Sequence, residues 1–294
     1  MANLKEVRIR IASVNSTKQI TSAMKMVSAS KLRKVQNAII KMRPYSAKLR
    51  EIMGNLSQSV DAENLSVFTQ KHSEGRILII VVSSNRGLCG AFNANIIKTA
   101  NNLILIDYEK DYNENNVDVI CIGKKVSEYF SKRKFNVIEA NNHITETLSF
   151  ENTSPIAEKL MEMYTKGTYK TIEIIYNQFK NAATQQIVVE QFLPISTQII
   201  ESAIKKQETD YILEPSREVI IQEIIPKSLK IQFYKVLLDS VASEHGARMT
   251  AMHKATENAN DLVKALRLSY NKARQAAITT EIIEIVSGAE ALKG

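Results

Sequence analysis

The feature that most constrains this chain is an unbroken helical pattern near its carboxyl end. From Ser228 to Leu292 there is no proline. Within this stretch a stripe alternates spacings of three and four, and every member but Thr256 is apolar: Met249, Met252, Thr256, Ala259, Val263, Leu266, Tyr270, Ala273 and Ala277. Such a heptad stripe predicts a helix roughly 95 Å long. One compact domain cannot bury it, so a second helix must lie along it.

Residues 3–57 supply a second long helical pattern. An apolar stripe begins and then resumes with Leu4, Val7, Ile11, Val14, Val35, Ile39 and Met42. Between its two halves the stripe thins to small or polar residues, which are Thr17, Thr21, Ala23 and Ser28. We expect Pro44 to kink or interrupt this helix near Arg43, because proline removes a backbone donor and disfavours helical geometry at the preceding residue.

The pattern between the two helices changes to that of an α/β domain. Apolar runs of strand length cover Arg76–Ser83 and Val117–Ile122, and shorter or alternating runs predict strands at Phe135–Ile138, Thr171–Phe179 and Gln185–Phe192. Helices are predicted from Ala91 to about Ile106, up to about Lys132, and from Ser154-Pro155 to near Gly167, with Ser154 as the N-cap. Alternation of this kind predicts a mostly parallel sheet.

The order of these patterns gives the domain organisation. We expect an N-terminal coiled-coil helix over 1–57, a linker over 58–74, an α/β domain over 75–213 and a C-terminal coiled-coil helix over 214–294, with Pro226 breaking the chain just before the last helix. The fold class is thus α/β plus coiled coil: an antiparallel two-helix coiled coil with an inserted Rossmann-like domain. Because the last helix is the longer one, its end should extend past its partner.

The positive charge of the chain is concentrated in its first helix. Residues 1–50 hold twelve Lys or Arg against the single acid Glu6, a net +11, while the whole chain has a formal charge of +8. A basic helix suggests an acidic partner, which could be nucleic acid, anionic lipid or an acidic protein loop. Aromatic residues are not interleaved with these charges, so a solvated face or an acidic protein surface is favoured over nucleic acid.

Cysteine usage and hydropathy exclude several classes of protein. The two cysteines, Cys89 and Cys121, lie in or beside apolar runs and are expected to be buried free thiols, as in a reducing compartment. No apolar run approaches the length of a membrane span, and no signal-peptide core or cleaved leader is expected. We expect membrane association only through partners.

No pattern of catalytic or cofactor-binding residues stands out. The turn Asn85–Gly90 follows a strand and opens a helix, but it is neither a dinucleotide fingerprint nor a P-loop, and we interpret it as a structural turn. The four histidines are not spaced as metal ligands, and no Ser/His/Asp or Cys/His set can be assembled. No cofactor and no metal are therefore predicted, and an active site within this chain is disfavoured.

The stretch Tyr270–Glu281 is unlike ordinary coiled-coil surface. It surrounds small alanines with the short-range hydrogen-bonding groups Arg274, Gln275, Thr279 and Glu281. Small residues let another backbone approach closely, so this stretch predicts a specific contact zone or a tip packed inside a tight sleeve.

Several motifs in order resemble the gamma-subunit family of rotary F-type ATP synthases. The resemblance rests on Arg10-Ile11-Ala12-Ser13-Val14, the Ile20–Lys31 segment, Asn85–Gly90, Ser243-Glu244-x-x-Ala247-Arg248-Met249, and Ile278-Thr279-x-Glu281-x-x-Glu284-x-x-x-Gly288-Ala289-x-Ala291. Together these motifs extend over effectively the whole chain. One departure is Thr280, where some members of the family have glutamine.

The resemblance implies a non-catalytic rotor. The two helices would form a central shaft inside a ring of alternating alpha and beta subunits, with the α/β domain at its foot beside the epsilon subunit and the membrane ring of c subunits. Proton-driven rotation would change the affinities of the beta catalytic sites. The absence of a leader favours a bacterial complex, at the cytoplasmic face of the inner membrane. The family's chloroplast regulatory insertion is missing, so thiol control is not expected.

The resemblance also implies individual contacts with beta. Met24 and Arg248 match positions near an acidic loop of that subunit, and Arg274, Gln275, Thr279 and Glu281 match the region at its catch loop. Residues 287–294 would sit in an apolar bearing. Two rival hypotheses stay open from the residues alone. One is a basic coiled-coil adaptor for nucleic acid or anionic lipid, and the other is a nucleotide-binding enzyme built on residues 75–213.

Overall fold

A computed structural model describes residues 4–57, 67–195 and 217–291 of the chain. The chain divides into two units. One contains residues 1–28 and 249–294, and the other contains residues 29–248. Two long helices contribute to both units: α1 over Leu4–Ser57 and α6 over Arg217–Ala291. The remaining elements lie within the second unit.

In the first unit, α1 and α6 bury the predicted stripe. All nine predicted stripe residues of α6 are buried or half-buried, and Met252, Ala259 and Val263 are the most enclosed of them. From Ile278 to Ala291 every residue of α6 is exposed in this chain. The predictions of a seam and of an uncovered end are both confirmed.

The middle of the α1 stripe differs in part from its prediction. Thr21 and Ser28 are buried as expected, but Thr17 and Ala23 are exposed. Lys18 and Lys25 occupy the seam in their place and are half-buried. Spacings of three and four lead from position 14 through 18, 21 and 25 to 28. The heptad spacing therefore determines which residues face the seam, even where it places a lysine there instead of a small residue.

Neither proline ends its helix, so the break predicted at Pro226 and the interruption predicted at Pro44 are both wrong, while the kink at Pro44 stays a prediction. Pro44 lies inside α1 and Pro226 lies inside α6, which begins at Arg217 rather than near Ser228. An interior proline costs about 3 kcal/mol. Apolar burial on both sides can offset this cost, as at Ile225 and Leu229, which are 2% and 1% exposed. The predicted boundary at residues 214–216 lies outside the described residues.

Five strands of the second unit form one sheet, ordered β3-β2-β1-β4-β5. β1, β2, β3 and β4 pair in parallel, and β5 is antiparallel to β4, which confirms the mostly parallel sheet. The strands are β1 (Arg76–Val82), β2 (Val117–Ile122), β3 (Val137–Asn141), β4 (Tyr169–Phe179) and β5 (Gln185–Leu193). β3 begins two residues later than its predicted start.

Helices cover the sheet. They are α2 (Phe92–Asn102), which continues into a π-helical turn (Leu103–Asp107), α3 (Glu109–Asn113), α4 (Lys124–Lys132) and α5 (Phe150–Thr165). The predicted start of α5 at Ser154-Pro155 is wrong. Its N-cap is Ser149, whose hydroxyl accepts a hydrogen bond from the Asn152 amide at 3.2 Å. Both serines are competent cap residues, and the sequence pattern did not distinguish them.

Each face of the sheet has its own core. One face packs Leu78, Ile80 and Ile120 against α5 and α6, where Phe233 and Leu237 are fully buried. The other face packs Ile79, Val119 and both cysteines with α2 and α4. Cys89 and Cys121 are buried free thiols, as predicted. The part of α6 up to Arg248 therefore belongs structurally to this second unit, which we call the α/β unit. None of its residues from Ser228 to Arg248 is exposed.

Candidate functional site

The carboxyl end of α6 presents four of the six predicted contact residues to solvent. Arg274, Gln275, Thr279 and Glu281 are all exposed. At 100° per residue, Arg274 and Glu281 fall on one side of the helix, and Gln275 and Thr279 fall together on an adjacent side. The Thr279 hydroxyl donates to the Gln275 carbonyl at 2.9 Å. In the described part of the chain the side chains of Arg274, Gln275 and Glu281 form no hydrogen bond or ion pair, so they are available to a partner.

The same end of α6 also exposes apolar side chains. Ile285 is 71% exposed, and four other large apolar residues there are about half exposed or more: Ile278, Ile282, Ile283 and Val286. Contiguous apolar exposure of this extent on one helix marks an interaction surface in a soluble protein. We call residues 270–291 the tip.

Met24 belongs to the first unit but lies at a different place from the tip. It is half-buried on α1, and its carbonyl accepts a hydrogen bond from Ser28 at 2.8 Å. The neighbouring Met26 and Val27 are 64% and 56% exposed. The sequence did not single out these two residues as contacts, although their apolar character next to Met24 was visible.

The basic residues of α1 are mostly solvated. Of those described, Lys18 and Lys25 alone are less than fully exposed. The Lys18 ammonium donates to the Asn260 side-chain oxygen at 2.8 Å, and that of Lys25 lies 3.4 Å from His253 Nδ1. Nine of the eleven basic residues described in this part of α1 are exposed and have no seam role, which is consistent with a solvated face or an acidic partner.

Arg248 differs from the other predicted contacts because it is enclosed within the second unit. It is 8% exposed, and its Nη1 lies 2.5 Å from Glu244 Oε1. Burial raises the pKa of Glu244, and the Arg248 charge opposes that rise. Arg248 Nη2 donates to the carbonyls of Arg86 at 2.9 Å and Gly87 at 3.2 Å. The i, i+4 spacing of Glu244 and Arg248 was the sequence signal for this pair.

The turn that receives Arg248 is the structural strand-to-helix connection predicted from the sequence. Leu88 and Gly90 have φ values of 63° and 61°, in the left-handed region. The turn is held by side chains: Ser84 Oγ donates to the Arg86 carbonyl at 2.7 Å, and Asn85 Nδ2 donates to the Asn142 carbonyl at 2.6 Å. These contacts connect it to β1 and to the loop after β3.

His72 and His245 are both half-buried within the second unit. The rings of His72 and Tyr164 pack at a tilted angle of 57°, with 4.8 Å between their centroids. Burial, reinforced by the charges of Arg248 and Lys31, lowers the pKa of His245 to about 4, so it is neutral at physiological pH. Within residues 4–57, 67–195 and 217–291, no group of three or more His, Cys, Asp or Glu side chains is arranged to hold a metal ion.

Comparison with known proteins places this geometry in a family. The family model described as ATP synthase matches residues 3–292. The ATP synthase gamma chain of Cytophaga hutchinsonii is 56% identical over 294 residues and covers 99% of both chains. That of Flavobacterium psychrophilum is 54% identical over 100% of both.

Chains in solved structures of mitochondrial ATP synthases have the same fold. A chain of the Tetrahymena thermophila mitochondrial ATP synthase central stalk and c-ring is 24% identical, with a TM-score of 0.59 over 80% of this chain and 99% of that one. A chain of the Euglena gracilis mitochondrial ATP synthase OSCP/F1/c-ring structure is 18% identical. Its TM-score is 0.66, and the match covers 98% of this chain and 94% of that one. None of the matches supports an adaptor for nucleic acid or lipid. Of the helices in the described residues, none has a stretch long and apolar enough to span a bilayer.

Proposed function

The chain belongs to the family of ATP synthase gamma chains, and from that premise we propose that it is the central rotor shaft of an F-type ATP synthase. It couples proton-driven rotation of a membrane ring to ATP synthesis or hydrolysis at the beta subunits. The chain itself is non-catalytic. The observation that carries the proposal is the tip, which presents polar groups without partners in this chain and, from Ile278 onward, continues beyond the covered seam with exposed apolar side chains.

The proposed partners follow from these surfaces. The tip turns inside a hexameric ring of alpha and beta subunits, where Arg274, Gln275, Thr279 and Glu281 contact a beta loop. Met24 contacts an acidic beta loop, and the basic surface of α1 complements that charge. The epsilon subunit and the c-subunit ring bind the α/β unit. Arg248 is held inside the chain by the carbonyls of Arg86 and Gly87, so its role differs from that of the exposed contact residues.

The proposed location follows from the partners. The complex is bound to the membrane through its c-subunit ring, and this chain lies at the cytoplasmic face of a bacterial inner membrane. Its similarity along the full length of gamma chains from bacteria supports this location. The chain contacts the membrane only through the other subunits.

The mechanism is mechanical. Exposed ion pairs contribute roughly 0–1 kcal/mol each, so a surface made of them can exchange partners as the shaft turns. Arg274 and Glu281 are such exposed charges. As the tip rotates, its polar side meets each beta subunit in turn, and differential contact shifts that subunit between conformations. Nucleotide chemistry takes place on the partners.

Reconstitution tests the proposal. Alpha and beta subunits are assembled with and without this chain, and steady-state ATP hydrolysis is measured. We expect sustained hydrolysis only with the chain, because without a rotor the three beta sites are not driven through successive states. A control assembly contains the chain with Arg267→Gln, an exposed α6 residue outside the tip. Equal steady rates with and without the chain would overturn the rotor proposal.

A further inference from the structure

Three contacts hold α6 to the α/β unit within six residues. We propose that Ser243, Gly246 and Arg248 form a collar that fixes the torsional position of α6 in the α/β unit. This inference rests on the proposed rotor function. These residues transmit torque from the α/β unit to α6 by preventing the helix from rotating relative to the sheet.

The first contact joins α6 to β4. The Ser243 hydroxyl donates to the Asn177 carbonyl at 2.9 Å. Ser243 is fully buried and Asn177 is 3% exposed. A buried hydroxyl that reaches a strand carbonyl fixes both the height and the rotation of the helix against the sheet, because the hydrogen bond is directional and has no water to replace it.

The second contact is a close approach of two backbones. A Cβ added at Gly246 would lie 3.2 Å from both Cα and O of Ala182, in the turn between β4 and β5. Glycine inside a helix costs about 1 kcal/mol relative to alanine. Its presence here is explained by the approach of the turn, which is itself braced by the Asn181 side chain accepting from the amides of Ala183 and Thr184.

The third contact is the guanidinium of Arg248 on the carbonyls of Arg86 and Gly87. That turn is braced in its own right. Asn93 Nδ2 donates to Ser84 Oγ at 2.8 Å, and the amide of Lys124 donates to Asn85 Oδ1 at 3.0 Å. Through these bonds Arg248 is connected to the starts of α2 and α4. A planar fork on two backbone carbonyls restrains rotation more than a single point contact does.

The arrangement around the helix is what makes a collar. Gly246 and Arg248 are two residues apart, which places them about 200° apart around the axis, on nearly opposite sides of α6. Every residue from Ser240 to Arg248 is buried or half-buried. Supports on opposite sides resist rotation of the helix about its own axis, whereas supports on one side would let it roll. The core contacts of Phe233 and Leu237 lie earlier in α6 and are apolar, hence less directional.

Angular fluctuation of the rotor in the assembled complex tests the collar. A bead is attached at Lys132→Cys, an exposed residue of α4, and the alpha-beta ring is immobilised and stalled so that the tip is held. Thermal variance of the bead angle then reports the torsional compliance between α/β unit and tip. With Gly246→Ala or Arg248→Gln we expect the variance to rise about twofold, because the added Cβ displaces the Ala182 turn in the first variant and the guanidinium contacts are lost in the second. Arg248→Lys should give an intermediate variance, and Ser243→Ala a smaller rise.

The matched controls are Arg267→Gln and Ser269→Ala, at exposed positions of α6. Both should leave the variance of the bead angle unchanged. If Arg248→Gln fails to fold because Glu244 loses its partner, Gly246→Ala and Ser243→Ala decide the question. Variance equal to that of the parent chain in both of these variants would overturn the collar while leaving the rotor intact. A parent bead that rotates freely while the ring is stalled would instead contradict the rotor proposal itself.

Discussion

The hydroxyl oxygens of Thr21 and Thr256 lie 2.8 Å apart across the seam between α1 and α6. They form a polar layer in a stripe that is otherwise largely apolar, and Lys18–Asn260 and Lys25–His253 contacts flank it. Polar layers in coiled coils fix register, since a shifted pairing would leave the buried groups without partners. In a rotor, a fixed register keeps two helices turning as one.

Replacing both of these threonines should destabilise the chain by less than the sum of the two single replacements. Thr21→Val or Thr256→Val removes the cross-helix hydrogen bond at a cost of about 1 kcal/mol each, while the remaining hydroxyl keeps its bond to the Met252 or Lys18 carbonyl of its own helix. The double variant should cost clearly less than the sum, because the one cross-helix bond can be lost only once. Denaturant unfolding of the purified chain measures the three free energies, with the exposed Thr17→Val as the control. Strict additivity would contradict a coupled pair.

A buried carboxylate should make the α/β unit sensitive to acid. Arg76 Nη2 lies 2.5 Å from Asp118 Oδ1, while Tyr169 and Asn136 also donate to this carboxylate. Burial alone would raise the pKa of Asp118, but these hydrogen bonds outweigh it and hold the pKa below its usual value. Asp118→Asn should lower the free energy of unfolding by about 2 kcal/mol near neutral pH.

The pH dependence of that loss has a definite sign. A carboxyl whose pKa is lowered by folding stabilises the chain above its unfolded pKa of about 4, and this stability is lost as pH falls through the folded pKa. The difference between Asp118→Asn and the parent should therefore shrink below about pH 4. The control is the exposed Asp261→Asn, which should change the free energy of unfolding near neutral pH by no more than about 0.5 kcal/mol. A gap that persists unchanged in acid would contradict the ionised network.

Asp239 should behave in the opposite way. Burial raises its pKa to about 6, although Lys235 and Arg43 oppose the rise. Because the folded chain holds this proton more tightly, Asp239 reduces stability progressively from about pH 4 to pH 6 and by a constant amount above that. Asp239→Asn should thus be more stable than the parent at pH 8 by about 1–3 kcal/mol, with the gain vanishing near pH 4. Thermal unfolding across this range measures it, and a gain that grows toward acid would refute it.

Substitutions in the tip should lower ATP hydrolysis by the alpha-beta assembly without changing the stability of the purified chain. Arg274→Ala and Gln275→Ala remove exposed side chains, so the purified chain should keep its free energy of unfolding within about 0.5 kcal/mol. In the alpha-beta assembly the same variants should lower steady ATP hydrolysis severalfold, because the polar contact with beta is lost. Lys264→Ala is a matched exposed control on α6. Unchanged hydrolysis in both tip variants would show that these residues do not contact beta productively.

The long-range pattern of this fold was readable because it follows simple periods. The heptad stripe from Met249 to Ala277 predicted its own burial, and the apolar runs of β1 and β2 predicted strands buried on both faces. The predicted helix interruptions at the prolines were wrong because the local cost of proline in a helix was not compared with the gain from burying neighbouring side chains. At Pro226 the opposing quantity is the burial of Ile225 and Leu229 in the α/β core, which only the tertiary structure reveals.

The functional surface was less readable for a related reason. Exposure of the tip followed from α6 being longer than α1, so Arg274 and Glu281 were placed correctly on the surface. The enclosure of Arg248 did not follow, since its carbonyl partners at 86 and 87 are over 160 residues away in sequence. Likewise, no periodic signal indicates that Gly246 meets Ala182.

Direct observation of rotation tests whether this chain is a rotor. The alpha-beta ring is fixed to a surface, a bead is attached to Lys132→Cys of this chain, and ATP is added. We expect stepped rotation in one direction for as long as ATP is hydrolysed, at a rate that follows hydrolysis. Continued hydrolysis by the same assemblies with a stationary or randomly fluctuating bead would contradict it.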